Sequence, residues 1–249
     1  MSHCFSNAII KPLGDSALIV QLGEGISPAI HQKIQALSSL LNTYPFDGFI
    51  ESVPAFNTIT IYYNPVVVHH AQINNLSNHH SSLTPFQTVS SNVNKLTQHI
   101  DEIQSLEARL VEIPVLYGGE YGPDLDYVAS YHQISAEEVI RIHTQSECLV
   151  YMIGFAPGFP FMGGMDERIA TPRRQTPRLS IVPGSVGIAG KQTGVYPLET
   201  PGGWQIIGRT PLDLFRPDLS PPTLLQAGDK IKFVQISPEE YYRDKERNR

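Results

Sequence analysis

Cysteine is almost missing from this sequence. Cys4 and Cys148 stand alone, too few for a disulfide framework and without the spacing of metal ligands, so no metal site is expected. Charge is sparse too: 17% charged residues leave a net −6, which argues against bulk binding to nucleic acid or to an anionic membrane. No apolar run approaches the roughly 18 residues that a spanning helix needs. Met1-Ser2-His3-Cys4 lacks a basic stretch leading into an apolar one, so no secretory signal is expected and a cytoplasmic location is. No internal repeat is visible. What is present suffices for a core: 249 residues with 41% hydrophobics can build one large or two small globular domains.

The first part reads as a small α+β layer. Residues 17–22 form a short apolar strand closed by Gly23. Ser27 before Pro28 is a helix start, and Ile30, Ile34, Leu37 and Leu41 recur at helical spacing, predicting a helix to about residue 41. Two β-rich runs follow at 49–53 and 58–63, then a further helix. Residues 74–99 are dominated by Ser, Thr, Asn, Gln and His, with no acid. Even so, Phe86, Val89, Val93, Leu96, Ile100 and Ile103 make one apolar seam on a helix starting near Pro85. Two uses of that seam are open: a connecting helix laid against its own chain, or a docking helix for a partner or second copy.

The second part opens with a strand at 111–116. Asp124 reads as the cap of a short helix through Tyr131, and Ser135 with Glu138 is a capping box opening a helix through His143. Beyond 149–153 the texture turns to short β-rich runs broken by Gly and Pro, among them 185–189, 204–208 and 230–234. That pattern predicts a sandwich or closed barrel. The expected organisation is a small α+β domain over 1–84, a polar linker and connecting helix over 85–108, a mostly-β domain over 109–240 and a charged tail over 241–249.

Signal is densest in three Gly/Pro phrases: 154–161 (Gly-Phe-Ala-Pro-Gly-Phe-Pro-Phe), 183–187 (Pro-Gly-Ser-Val-Gly) and 201–204 (Pro-Gly-Gly-Trp). Such loops either present backbone N–H groups to an anion or merely turn barrel corners. Cations gather in the same stretch. Arg168, Arg173, Arg174, Arg178, Lys191, Arg209 and Arg216 face only Asp166, Glu167, Glu199 and Asp213 between residues 151 and 216. The local excess favours phosphate or carboxylate ligands, or is simply a solvated face. Phe155, Phe159, Phe161, Tyr196 and Trp204 can wall a pocket there or fill a core. Gly190-Lys191 is not a P-loop end, because Ser185 and Gln192 stand where that motif needs Gly and Ser/Thr. Gly184-Ser185-Val186-Gly187 is not a nucleophile elbow, because Pro183 stands two before the serine. The pairs His69-His70 and His79-His80 have no neighbouring carboxylate or thiolate, and Cys148 reads as a buried inert thiol.

These phrases carry a resemblance. Tyr117-Gly118-Gly119, Gly122-Pro123-Asp124-Leu125, Ile153-Gly154-Phe155 with Pro157-Gly158-Phe159, Pro172-Arg173-Arg174, Pro183-Gly184-Ser185-Val186, Pro201-Gly202-Gly203-Trp204 and Gly208-Arg209-Thr210-Pro211 resemble the family of 5-oxoprolinase B subunits. That family is also described as allophanate hydrolase subunit 1 and includes a sporulation-kinase inhibitor. Cys148 departs from it, since Tyr is expected after Glu147, and residues 74–99 match nothing in it.

The resemblance implies an α+β N-terminal domain followed by a cyclophilin-like, mostly-β barrel C-terminal domain. It implies partners, an allophanate hydrolase subunit 2-like protein (the 5-oxoprolinase C subunit) and a third 5-oxoprolinase component. Together they would open 5-oxo-L-proline to L-glutamate using ATP and magnesium. Transferring phosphate needs cations around it, so Lys191, Arg209, Arg178 and Arg173 are candidates, with Gly184, Ser185, Gly202 and Gly203 lining the phosphate. Gly158 and Phe159 join the binding set. His143 reads as an acid/base group or a structural histidine at a helix end. Two alternatives stay open: an inhibitor that binds a sensor histidine kinase, and a carboxyltransferase-type component in urea or allophanate metabolism. No Met-Lys-Met biotinylation motif occurs here, so biotin would arrive on another chain.

Overall fold

The computed structural model describes residues 8–75, 83–100 and 108–248. Contacts divide the chain into two compact units, residues 1–107 and 108–249. Cys4, His79-His80 and Ile103 lie outside the described residues.

The first unit is an antiparallel sheet of four strands, β1 (Ile9–Pro12), β2 (Ala17–Gln21), β3 (Phe49–Pro54) and β4 (Thr58–Tyr63), in the order β1-β2-β4-β3. The β2–β4 register sets Leu18 beside Ile61 and Val20 beside Ile59, which gives the sheet one apolar face. Helix α1 (Pro28–Thr43) covers that face with Ile34, Leu37 and Leu41. Helix α2 (Pro65–Asn75) follows β4. Helix α3 (Pro85–Thr97) starts at a capping box, Thr84 with Gln87. Its Val89 and Val93 have 0% exposure in the same core, so the described part of the seam, Phe86 to Ile100, is laid against its own unit. The short strand β1, bounded by Pro12, has no period long enough to read.

The second unit is mixed α/β. Strands β5 (Leu110–Tyr117), β6 (Glu147–Ile153), β7 (Pro160–Gly163), β9 (Ser185–Ala189), β10 (Gln192–Val195), β12 (Gln205–Arg209) and β13 (Lys230–Gln235) form one sheet in the order β10-β9-β12-β5-β13-β6-β7. The pair β5–β13 is parallel and the others are antiparallel. The edge strands β10 and β7 lie against each other, so the sheet curls nearly closed and its edges are protected. A two-stranded arm, β8 (Arg178–Ile181) with β11 (Thr200–Gly202), stands beside it. Helices α4 (Leu125–His132) and α5 (Ala136–Gln145) add Val128, Val139 and Ile142 to the barrel's core. Residues 241–247 of the segment read as a charged tail belong to helix α6 (Pro238–Arg247). Its capping box, Ser237 with Glu240, opens the helix, and Tyr241 is buried.

Cys148 sits in this core at 1% exposure, and burial pushes its thiol up to about 12. In a Cys4→Ser variant the remaining thiol is therefore expected to resist a thiol reagent while the chain is native and to react only on unfolding. Prompt stoichiometric labelling of the native protein would contradict this.

Candidate functional site

Three loops of the second unit meet at Arg209. The turn after β5 lies directly on β12: Gly118 N–H donates to the Ile207 carbonyl at 3.1 Å, and a Cβ on Gly122 would fall 2.0 Å from that same oxygen. From the other side, Gly184 adopts φ +83, and a Cβ there would come within 2.5 Å of the Thr210 carbonyl and 3.4 Å of Arg209 Cγ. Only glycine lets that loop close along the arginine stem. The guanidinium then lies 5.2 Å from the centre of the Tyr121 ring, a cation–π contact. Tyr121 is fixed by α6, through a 2.7 Å hydroxyl contact with Tyr242 and ring contact with Tyr241. The Tyr242 hydrogen bond pushes Tyr121 up to about 12. Arg209 Nε is buried without a hydrogen-bond partner, and among the described residues no carboxylate pairs with this arginine. An oriented, unpaired guanidinium is suited to receive an anion.

A second group of cations converges on Asp124. Its carboxylate is 4% exposed. It accepts from Arg174 Nη1, Arg178 Nη1 and Arg178 Nη2 at 2.8 Å each, and from the Ile206 N–H at 2.7 Å. The cap role expected of Asp124 on α4 is not what its side chain does, since it makes no cap hydrogen bond. The two long-range arginines take it instead.

Behind these cations lies an aromatic floor. Phe159, Tyr196 and Trp204 meet edge to face, with ring centres 5.6–6.1 Å apart. A Cβ on Gly194 would meet Trp204 Cζ3 at 2.9 Å, so the missing side chain lets the edge of the indole approach β10. Phe155 stands apart: it is 73% exposed at φ +68, in a γ-turn closed by Ala156 N–H to the Gly154 carbonyl at 2.8 Å. A bulky residue rarely holds that conformation.

The structure distributes the other expected residues unevenly. Arg178 is bound twice to Asp124, so it is a structural pair and not an open ligand for phosphate. Lys191 Nζ pairs with Glu167 at 2.8 Å, with both side chains about 70% exposed (70% and 68%), an arrangement worth roughly 0–1 kcal/mol. The N–H groups of Gly184 and Ser185 donate to the Tyr196 and Val182 carbonyls, so neither is turned to an anion. Gly158, at φ +80, packs on Phe215 and Leu214. Gly202 makes room for the Tyr196 hydroxyl, which a Cβ would approach to 2.5 Å.

His143 is 0% exposed. Thr193 donates its hydroxyl to the Gly187 carbonyl, so it must accept from His143 Nε2 at 2.8 Å. That leaves Nδ1 to accept from the Tyr117 hydroxyl at 2.7 Å. Burial pushes the imidazole down to about 3 and Tyr117 well above its ordinary value. This neutral chain of hydrogen bonds ties α5 to β5 and β10; of the two readings of His143, the structural one matches its position. Among the described residues no three His, Cys, Asp or Glu side chains are grouped to hold a metal, and no helix is long and apolar enough to cross a membrane.

Residues 8–225 match the model of the carboxyltransferase domain, subdomains C and D. The 5-oxoprolinase B subunit of Bacillus subtilis is 52% identical over 237 residues, covering 95% of this chain and 96% of that protein. The 5-oxoprolinase B subunit of Haemophilus influenzae is 46% identical, covering 90% and 96%. The chain belongs to the family of 5-oxoprolinase B subunits.

The urea amidolyase of K. lactis shares the fold at TM-score 0.69 and 19% identity, over all of this chain and 16% of that one. In this member of the family the Gly- and Pro-rich phrases have separate tasks. Three of them, at 117–122, 183–186 and 208–211, assemble the seat of Arg209. The phrases at 172–174 and 201–204 join where Arg174 N–H donates to the Gly203 carbonyl at 2.7 Å. Neither the ion-pair role of Asp124 nor the support that Tyr121, Tyr241 and Tyr242 give Arg209 was legible in the sequence. No local pattern marks them, because their partners lie far off along the chain.

Proposed function

We propose that this chain is the B subunit of a cytoplasmic, ATP-dependent 5-oxoprolinase that opens 5-oxo-L-proline to L-glutamate. Similarity along nearly the whole chain to proteins of that name carries the reading. The curled sheet is read with it as a cyclophilin-like barrel. A second component resembling allophanate hydrolase subunit 2 and a third one complete the assembly and bring ATP and magnesium.

A lactam is a poor electrophile because its nitrogen donates into the carbonyl. Phosphorylation of the lactam oxygen, the chemistry that ATP would supply, withdraws electrons from the ring carbon and activates it toward water. The C–N bond then breaks with the nitrogen taking a proton, and hydrolysis of the resulting acyl phosphate gives L-glutamate and phosphate. This chain's part is to hold negative charge. Arg209 does so with a guanidinium fixed by Tyr121 and Gly184 and matched to no internal carboxylate among the described residues. The isolated chain is expected to show no 5-oxoproline-dependent ATP hydrolysis and to gain it with the partner proteins. In that assembly, Arg209→Gln is expected to lower turnover at least ~10-fold, or ~1.4 kcal/mol, with little change in melting temperature. Turnover by the pure chain, or normal turnover of the variant assembly, would overturn the respective claim. The carboxyltransferase family match favours one second reading, a carboxyltransferase-type component. Biotin-dependent carboxyl transfer by the same assembly, without glutamate release, would select it.

A further inference from the structure

We propose that Arg173 and Arg174, beside the Gly202–Gly203 turn, form a binding site for a dianion: a phosphoryl group or a dicarboxylate. Charge around Asp124 does not balance, for Arg174 and Arg178 share its one carboxylate and Arg173 adds a further cation next to Arg174 in the chain. Arg178 uses both terminal nitrogens on Asp124, and the Ile206 N–H takes a further acceptor position. Arg174 gives Asp124 only Nη1; its Nε is buried without a partner, and its side chain is 36% exposed. Arg173 is exposed and meets no carboxylate among the described residues. The nearby acid on the β8–β11 arm, Glu199, accepts from Ser180 Oγ at 2.6 Å. Two positive charges are thus unmatched in a chain whose net charge is −6.

The two under-matched arginines are also held in place. Arg174 N–H donates to the Gly203 carbonyl at 2.7 Å, which pins the arginine pair to that turn. Arg173 and Arg178 both act electrostatically on the Tyr196 hydroxyl, which hydrogen-bonds to the Trp204 backbone. Gly203 adds a separate sign. Its φ is not in the left-handed region, and a Cβ there would meet nothing closer than Pro177 Cγ at 3.7 Å. The fold makes no demand for glycine at 203. A bare backbone next to two guanidinium forks gives a ligand close approach.

The full chain alone tests this site, independently of the 5-oxoprolinase reading. Calorimetric titration with inorganic phosphate and with glutarate, at constant ionic strength, is expected to show saturable binding at millimolar concentrations or below. Arg173→Gln and Arg174→Gln are each expected to weaken it about tenfold. Lys230→Met, which removes an exposed pair with Glu147, leaves it unchanged. Arg173→Gln, which alters an exposed and unpaired side chain, keeps the melting temperature, so lost binding is not lost fold. Binding of phosphate alone names a phosphoryl group as the ligand, and binding of glutarate alone names a dicarboxylate. No saturable binding of either anion, or binding indifferent to both arginine variants, would overturn the proposal.

Discussion

Replacing Asp124 with alanine is expected to cost about 3 kcal/mol of unfolding free energy, more than any single surface pair in the second unit. The substitution strands two guanidinium groups and the Ile206 N–H at once. Removing one partner of a buried ion pair costs about 3–5 kcal/mol. The lower end applies here, because the arginine side chains are 36% and 26% exposed and water recovers part of the loss. Roughly 10 °C in melting temperature follows for a chain of this size. Urea unfolding of the full chain measures it. A loss below about 1 kcal/mol would mean that solvent satisfies both arginines and that the carboxylate is not their anchor.

Acid is the second large lever. His143 titrates at its ordinary 6.5 when unfolded and near 3 when folded, because burial disfavours the imidazolium. Below 6.5 the unfolded chain therefore takes up a proton that the folded chain refuses. Stability is full above that value and is lost as pH falls toward 3, at about 1.4 kcal/mol per pH unit and to a total of about 5 kcal/mol. Other groups titrate in the same range, so the informative quantity is a difference. His143→Gln is expected to be less stable than the parent at neutral pH, because the Tyr117–His143–Thr193 chain is broken. That deficit should shrink by about 1.4 kcal/mol per unit between pH 6.5 and pH 4.5. A deficit constant with pH would show that the imidazole titrates alike in both states.

Much of the local architecture was legible in the residues. Half of the capping box read at Ser135 forms: its hydroxyl accepts from Glu138 N–H at 3.1 Å, while the Glu138 carboxylate accepts from Arg141 instead. The run at 185–189 is β9 as read, that at 204–208 becomes β12 shifted by one residue, and that at 230–234 becomes β13 with one residue more. The seam Val89–Val93 is buried on α3 as its period requires. These signals survive because cap, period and turn act over two to five residues, where the chain itself sets the geometry. The cation excess between residues 151 and 216 was equally visible.

Which of those cations are free was decided only by the tertiary structure. Arg173, Arg174, Arg178, Lys191 and Arg209 look alike in sequence, yet their surroundings differ completely. Arg178 is neutralised by a carboxylate 54 positions away, Lys191 by an exposed Glu167, and Arg209 stacks on Tyr121 with no acid paired to it among the described residues. His143 shows the same divide: its helix and position were readable, but its protonation follows from Tyr117 and Thr193, which only the fold brings to its two nitrogens. Sequence determines what charge and shape each residue can offer and how its near neighbours coil or extend. Pairing between residues far apart in the chain depends on how the sheet curls, and there desolvation and partner geometry decide whether a cation is bound within the fold or left for a ligand.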